Sequence, residues 1–563
     1  MPIHFIFMQK HANKYTAQAL SAVLKAADIS DIVISPGSRN APLIIEFTNQ
    51  NFFHNYSIID ERSAAFVALG MAQQTGKPAV LVCTSGSALL NYYPAVAEAF
   101  YSHIPLIVVS ADRPQKWVDQ GEGQTIRQHG VFKNHSWKNV TLSEEGIPDD
   151  IEKIRKAIET AIEKRGPVHI NIPFDEPLYD LTEAFDLPSI KIKTEFEDLI
   201  YPVDYLEKFE QKWQNSKQKM ILVGQHKPSE FLQAQLEKFA QDSSVIILHE
   251  NIANVQHPKF IGNIDQAIFN LTDKDLAQFK PDILITVGRN LVSKKIKQFL
   301  RQHKPKEHWH IEKTDIPPDT FESMTQHFNT APEMFFSQFL FLVKPKASAN
   351  YQQKWLSLKE ERKKRHHKFL KQTGYSDLKA FELISQMIPS PYQIQWGNSS
   401  TIRYAQLFDF PEGTRHFSNR GTSGIDGSSS TAIGAHLKSK LPVLHVSGDI
   451  SFLYDSNALW QKYTRPNFKI IVINNGGGDI FNFIPGPAKT QALEDFFVTK
   501  HRYHMKKLAE MFDFNYQKVN NLPGLEVALK EFFDQNNKAK ILEIDTQNIN
   551  NAQILKSYFS FLG

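Results

Sequence analysis

Cysteine is nearly absent: Cys83 is the one residue of its kind in 563. No intramolecular disulfide can form, which suits a reducing cytosol and excludes the small disulfide-stapled scaffolds of the extracellular space. Cys83 ends the apolar run Ala79-Val80-Leu81-Val82, where a small buried core residue is expected rather than a nucleophile. Long hydrophobic runs are absent too. No stretch approaches the roughly 18 apolar residues that a membrane-spanning helix needs, and Met1-Pro2-Ile3-His4-Phe5 lacks the basic and then apolar regions of a signal peptide. The chain is therefore expected in the cytoplasm. An excess of one charge is also missing, with 64 Lys and Arg against 60 Asp and Glu, a net +4. Such a balance makes no case for nucleic acid or a membrane surface as a partner. The charge-dense stretch Lys359 to Lys368 opens with acidic residues and has no interleaved aromatics, so it reads as the solvated face of a helix.

What is present is an ordinary globular composition, 41% hydrophobic and 22% charged, in a chain long enough for about three domains at roughly 100–200 residues each. Short β-branched runs recur, each ending in a polar or Gly-rich turn. Ile32-Val33-Ile34 leads to Ser35-Pro36-Gly37, Ala79 to Val82 leads to Thr84-Ser85-Gly86-Ser87, and Leu106 to Val109 leads to Ser110-Ala111-Asp112. Helical stretches lie between them, so a parallel sheet covered on both faces is expected, with ligands at the carboxyl ends of the strands. The pattern restarts at Met220 to Val223 and again at Ile394-Gln395-Trp396. Thr182 to Asp198 and Leu342 to Asn350 read as linkers. The expected architecture is three doubly wound α/β domains, at 1–182, 199–341 and 351–563.

The strongest chemical signal lies in the last of these. Val443-Leu444-His445-Val446 ends in Ser447-Gly448-Asp449. A helical stretch, Tyr454 to Tyr463, is expected next. A second strand, Lys469 to Ile473, ends in Asn474-Asn475-Gly476-Gly477-Gly478. One strand–helix–strand crossover would return Asn475 beside Asp449 at the same sheet edge. The Asp449 carboxylate, the Asn475 amide oxygen and the Gly477 carbonyl form a hard-oxygen set suited to magnesium, with manganese as the alternative. Gly448 and the glycine run let backbone approach a diphosphate closely. This ordered pair of turns resembles the Gly-Asp…Asn-Asn signature of the thiamine-diphosphate-dependent enzymes.

That chemistry needs a sheltered carboxyl group against the pyrimidine ring of the cofactor. Glu61, which opens the small-residue apolar stretch Arg62 to Gly70, is the best acid in the chain for it. In the family, pyrimidine and diphosphate domains of two subunits face each other, which implies a homodimer or homotetramer.

Several segments resemble one branch, the 2-succinyl-5-enolpyruvyl-6-hydroxy-3-cyclohexene-1-carboxylate synthases of menaquinone biosynthesis. They are Ser35-Pro36-Gly37-Ser38-Arg39-Asn40, Asp60-Glu61-Arg62-Ser63, Thr84-Ser85-Gly86-Ser87, Ser110-Ala111-Asp112-Arg113-Pro114, Gly397-Asn398-Ser399 with Arg403, Ser418-Asn419-Arg420 with Gly421 to Gly427, and Ile480-Phe481. The resemblance implies a transferase that decarboxylates 2-oxoglutarate and adds the succinyl unit to isochorismate. These substrates are rich in carboxylates, and the matched loops carry arginines that suit them. By resemblance, Ser399 and Arg403 would hold the succinyl carboxylate, and Ser38, Arg39, Arg113, Gln124, Lys294 and Arg420 isochorismate. Ile425 would wedge between the cofactor rings, and Ile480, Phe481 and Ile484 would wall the reacting carbon. The chain departs from the branch at Lys295, where an arginine is expected, at Gly123, where Asn is common, and at Asp479 in the metal loop. The alternatives are another thiamine-diphosphate-dependent 2-oxo acid decarboxylase or carboligase, and a non-catalytic nucleotide-binding regulatory protein of α/β fold.

Overall fold

The computed structural model describes residues 10–346, 349–484, 486–534 and 537–563. Met1 to Phe5, and Ala347 and Ser348 of the second expected linker, lie outside the described residues. Three six-stranded sheets form, each flanked by helices. By contact density the chain divides into two compact units. One comprises 1–196, 421–443 and 453–468, and the other 197–420, 444–452 and 469–563.

In the first unit the sheet runs in the order His54–Ser57, Asp31–Ile34, Ala79–Cys83, Leu106–Asp112, Val168–Pro173, Lys138–Thr141. Every pairing is parallel. Chain direction across the sheet reverses between Asp31–Ile34 and Ala79–Cys83, so the turns that follow these strands open the crevice where such sheets bind ligands. The two turns touch: a Cβ at Gly37 would lie 2.4 Å from Thr84 Cβ. Only glycine fits there. The helices Tyr15–Ala26 and Pro148–Lys164 bury their apolar stripes in the core under this sheet.

A second close approach organises the same unit. Helix Glu61–Thr75 crosses helix Ser428–Lys438 with backbone nearly in contact. A Cβ on Gly70 would stand 2.1 Å from the Thr431 carbonyl oxygen, and one on Gly434 would stand 1.9 Å from that of Val67.

The second unit holds two sheets. The central one runs Phe260–Ile261, Val245–His249, Lys219–Val223, Ile283–Val287, Glu307–Ile311, Gln326–Phe328, all parallel. Its strands are apolar on both faces. Ile221 and Val223 join one core cluster and Met220 and Leu222 the other, as the two-residue period of a covered strand requires. Helix Tyr351–Gln372 packs Tyr351, Trp355 and Leu358 on this sheet, while its Leu370 joins the core of the last sheet. The last sheet runs Arg415–Ser418, Gln393–Trp396, Val443–Gly448, Phe468–Asn474, Lys540–Asp545, Asn515–Val519.

Two expectations are refined. Thr182 closes a two-residue bridge to His11, and Glu183 to Asp198 carry neither helix nor strand. The helix expected over Tyr454 to Tyr463 starts earlier, as Asp449–Tyr454, and gives way to a single 3-10 turn, Ser456–Leu459. The break falls at Asp455, whose buried carboxylate turns away to accept hydrogen bonds from Ser430 N and Oγ, both at 2.7 Å. No helix among the described residues is long and apolar enough to cross a membrane.

Candidate active site

In the first unit Glu61 takes the first position of its helix because Asp60 caps the end, its carboxylate accepting from Ser63 N at 3.2 Å. Burial pushes the Glu61 carboxyl above the usual range, and Asp60 adds to that rise. Opposing it are the backbone hydrogen bond at Glu61 itself and the Asn91 amide, 3.5 Å from Oε2. A carboxyl so placed holds a proton longer than a free one, as a group sharing a proton with a ring nitrogen must. Among the described residues, strand-end Thr84 Oγ1 and Ser85 Oγ are buried with no hydrogen-bond partner. Cys83 is buried, with its thiol pushed up by burial, which fits the core role read from its sequence context.

The same unit gathers Arg39 and Arg113. Arg39 is buried, donates to Phe174 O at 2.9 Å and pairs with Glu176 at 3.2 Å. Burial, and then the neighbouring Arg113, lower its pKa. Arg113 donates to Gly123 O at 3.2 Å, so position 123 contributes a backbone acceptor. Ser38 and Gln124 are exposed on the flanking turns, Gln124 with a left-handed φ of 55°. Ile425 is half-buried on the loop that starts at Gly421. Sequence reasoning missed what holds that loop. Glu98, 1% exposed, accepts from Gly421 N at 2.7 Å, Thr422 N at 2.6 Å and Thr422 Oγ1 at 2.8 Å.

In the second unit the two expected turns meet. Asp449, at the end of strand Val443–Gly448, accepts through Oδ2 from Gly476 N at 2.8 Å and Gly477 N at 3.0 Å. Both glycines have positive φ, 81° and 152°. Asn475 donates Nδ2 to Asp377 at 2.9 Å, and its Oδ1 is buried without a partner among the described residues. An unpaired amide oxygen beside a buried carboxylate is an electron-rich pocket that a hard cation would satisfy. A cavity of about 780 Å³ opens beside it, lined by Asn475, Gly476, Asp479, Lys500, His501 and Arg502 among others. Burial raises the Asp479 pKa, with Asp449 adding to it, so this departure places a reluctant carboxylate at the cradle. Ile480 and Phe481 begin the short helix Ile480–Phe483 and are half-buried, as is Ile484 just beyond it.

A second cluster in this unit surrounds the arginines. Ser399 takes a left-handed φ of 66° at the start of helix Ser400–Ala405, and Arg403 donates to its carbonyl at 2.6 Å. Arg420 is buried and donates to Asn398 Oδ1 at 2.8 Å. Both guanidiniums lie in the field of Glu250, and Arg403 also in that of Asp265. Lys294 is exposed at the start of helix Lys294–Gln302, while Lys295 lies over the Phe269 ring at 4.6 Å and Lys297 is half-buried near Glu250 and Arg420. Glu250, Asp265 and Lys297 went unread in the sequence. Glu250 immediately follows a strand, the position that singled out the other loops.

Three family descriptions match the chain: thiamine pyrophosphate enzyme, N-terminal TPP binding domain, over 14–131; middle domain of thiamine pyrophosphate, over 204–394; and the C-terminal TPP binding domain, over 397–544. A relative from Flavobacterium psychrophilum, named 2-succinyl-5-enolpyruvyl-6-hydroxy-3-cyclohexene-1-carboxylate synthase, is 48% identical over 97% of this chain and 98% of its own. Relatives of the same name from Christiangramia forsetii and Porphyromonas gingivalis are 43% and 36% identical, each over 98% of this chain and at least 98% of their own. This chain belongs to that synthase family of thiamine pyrophosphate enzymes.

Proposed function

We propose that this chain decarboxylates 2-oxoglutarate and adds the succinyl unit to isochorismate, giving 2-succinyl-5-enolpyruvyl-6-hydroxy-3-cyclohexene-1-carboxylate and CO₂ on the route to menaquinone. The observation that carries this reading is the near end-to-end similarity to synthases of that name. The domain limits 1–182, 199–341 and 351–563 are part of the proposal. So are a cytoplasmic location, which a single reduced core cysteine suits, and a homodimer or homotetramer in which Glu61 serves a diphosphate site on a neighbouring chain.

Thiamine diphosphate supplies a thiazolium carbon that acts as nucleophile and electron sink. Asp449, Asn475 and the Gly477 carbonyl would hold the magnesium or manganese ion that clamps its diphosphate, with Gly448 giving the backbone room. The buried Asn475 Oδ1, without a partner among the described residues, supports this assignment. Glu61 would hold a proton toward the cofactor's pyrimidine, which its raised pKa favours. Ser399 and Arg403 hold the distal carboxylate of 2-oxoglutarate. Ser38, Arg39, Arg113, Gln124, Lys294 and Arg420 hold isochorismate, with Lys295 in place of a bidentate arginine weakening one grip. Ile425 would press against the cofactor from the loop that starts at Gly421. Ile480, Phe481 and Ile484 exclude water from the reacting carbon, where low polarity favours loss of CO₂.

The test is turnover with purified protein, thiamine diphosphate and magnesium. Consumption of 2-oxoglutarate with isochorismate is expected. Consumption of pyruvate alone would assign another carboligase or decarboxylase, and failure of the cofactor to bind would assign a non-catalytic protein. Glu61→Gln should fold normally and lose most activity, and full activity in that variant would remove Glu61 from its role.

A further inference from the structure

The charged stretch of helix Tyr351–Gln372 is largely open to water, as its composition suggests, with one exception. Arg362 is 6% exposed. Among the described residues nothing hydrogen-bonds or ion-pairs with its guanidinium, and Nε and Nη1 are wholly out of solvent. The acids that act on it, Glu361 and Asp275, do so only through space. A guanidinium stays charged in a protein. Burying one without a counter-charge is strongly unfavourable. Buried polar groups are otherwise almost always paired, so this one calls for a ligand.

Arg362 lines a cavity of about 160 Å³, between the helix that carries it and segments around Gln266, Glu382 and Asp409. Lys359, Lys363, His366, Glu382 and Asp409 of the wall are already engaged. Lys359 donates to Pro258 O and Phe260 O at 2.9 and 2.8 Å. Glu382 pairs with Lys379 at 2.5 Å, and Asp409 with Lys363 at 3.5 Å. His366 Nδ1 lies 2.8 Å from Tyr558 Oη and 3.2 Å from Gln266 Nε2. Arg362 is left with a full set of donors, and its planar fork matches two oxygens of one anion. Lys359 and Lys363 add positive field along the same wall.

We infer that this cavity is a binding site for a small oxyanion, a phosphate-type group or a carboxylate, held on the Arg362 guanidinium. It lies where one helix spans the cores of two sheets, so an occupant would tie Arg362 to both walls.

The experiment is calorimetric titration of the full chain, loaded with thiamine diphosphate and magnesium so that the diphosphate cradle is already filled. Sodium sulfate and sodium acetate are titrated in separate arms at constant ionic strength. One more anion per chain is expected for the wild type than for Arg362→Met, since the arginines proposed for substrate carboxylates are common to both, with sulfate favoured if the site takes phosphate-type groups and acetate if it takes carboxylates. Arg362→Met should weaken binding by about tenfold or more, the worth of charge-assisted hydrogen bonds. Absence of binding in both arms, or equal binding by Arg362→Met, would overturn the inference. Should that variant not fold, wild-type crystals soaked in selenate give the answer: an anomalous peak beside Arg362 supports the site, and its absence there overturns it.

Discussion

Asn475 gives its amide N–H to Asp377 at 2.9 Å, and this bond turns its Oδ1 away from that carboxylate. Asp377 is itself anchored by Thr546 Oγ1 at 2.6 Å, and its backbone N–H donates to Asn551 at 2.8 Å. Burial pushes its carboxyl up to about 7. A ligand's orienting partner commonly matters almost as much as the ligand. Asp377→Ala should therefore weaken magnesium-dependent thiamine diphosphate binding by about 10–100-fold. Titration of the cofactor against intrinsic fluorescence, well below the melting temperature, measures this. Unchanged affinity would mean that the amide orients without Asp377.

Glu98 holds a loop of its own unit that lies far along the chain. Its two carboxylate oxygens take the N–H groups of Gly421 and Thr422 and two hydroxyls, those of Thr422 and Ser102. Glu98→Gln keeps the shape but turns an NH₂ toward an N–H donor. Hydrogen bonds to a charged group are worth about 1.5–3 kcal/mol each, so the Gly421 and Thr422 amides should exchange with solvent about tenfold faster or more. Activity should fall with them because Ile425 rides on the same loop. Exchange rates equal to those of the wild type would show that the loop is held by other contacts.

The crossing of helices Glu61–Thr75 and Ser428–Lys438 depends on two missing side chains. A methyl at Gly70 or Gly434 would sit about 2 Å from a carbonyl oxygen of the opposite helix, at 2.1 and 1.9 Å respectively. Backbone cannot yield as a flexible side chain does. Each alanine substitution should cost about 1–3 kcal/mol or more, despite alanine's better helix propensity. Denaturant unfolding decides it, and a variant as stable as the wild type would show that the helices can separate freely.

The sheets were legible because each strand carried its own signal, a β-branched run closed by a polar turn, and parallel order follows from helices in between. Asp449 and Asn475 were legible for the same reason, since each ends a strand. Asp377 and Glu98 were not. Both lie on helices, far along the chain from the residues they hold, and nothing local marks them. Arg362 was hidden differently: its neighbours Glu361, Lys363 and Lys364 are exposed, and one buried position in a charged run leaves composition unchanged. The helix expected after Gly448 was misplaced because Asp449 starts it directly and Asp455 ends it through a contact with Ser430 that no periodicity encodes.

Glu250 ties stability to pH. Its carboxylate accepts from Val292 N and Ser293 N, both at 2.7 Å. Burial nevertheless dominates and lifts the group from an ordinary 4.5 to about 7, with Asp265 adding to the rise and Arg420 opposing it. A folded-state value above the unfolded one means that the native protein binds the extra proton between these limits. The contribution is therefore complete below about pH 4.5 and is lost as pH rises through about 7. The slope from one such proton is at most about 1.4 kcal/mol per pH unit. Glu250→Gln removes the titration. Its amide satisfies one of the two N–H groups and leaves the other facing an NH₂, so the variant is less stable than the wild type at pH 5. Because the wild type alone loses stability on the way up, the gap between them should narrow from pH 5 to pH 7 and then level off. Urea unfolding at unit steps of pH measures the gap, and curves that stay parallel across that range would place the titration elsewhere.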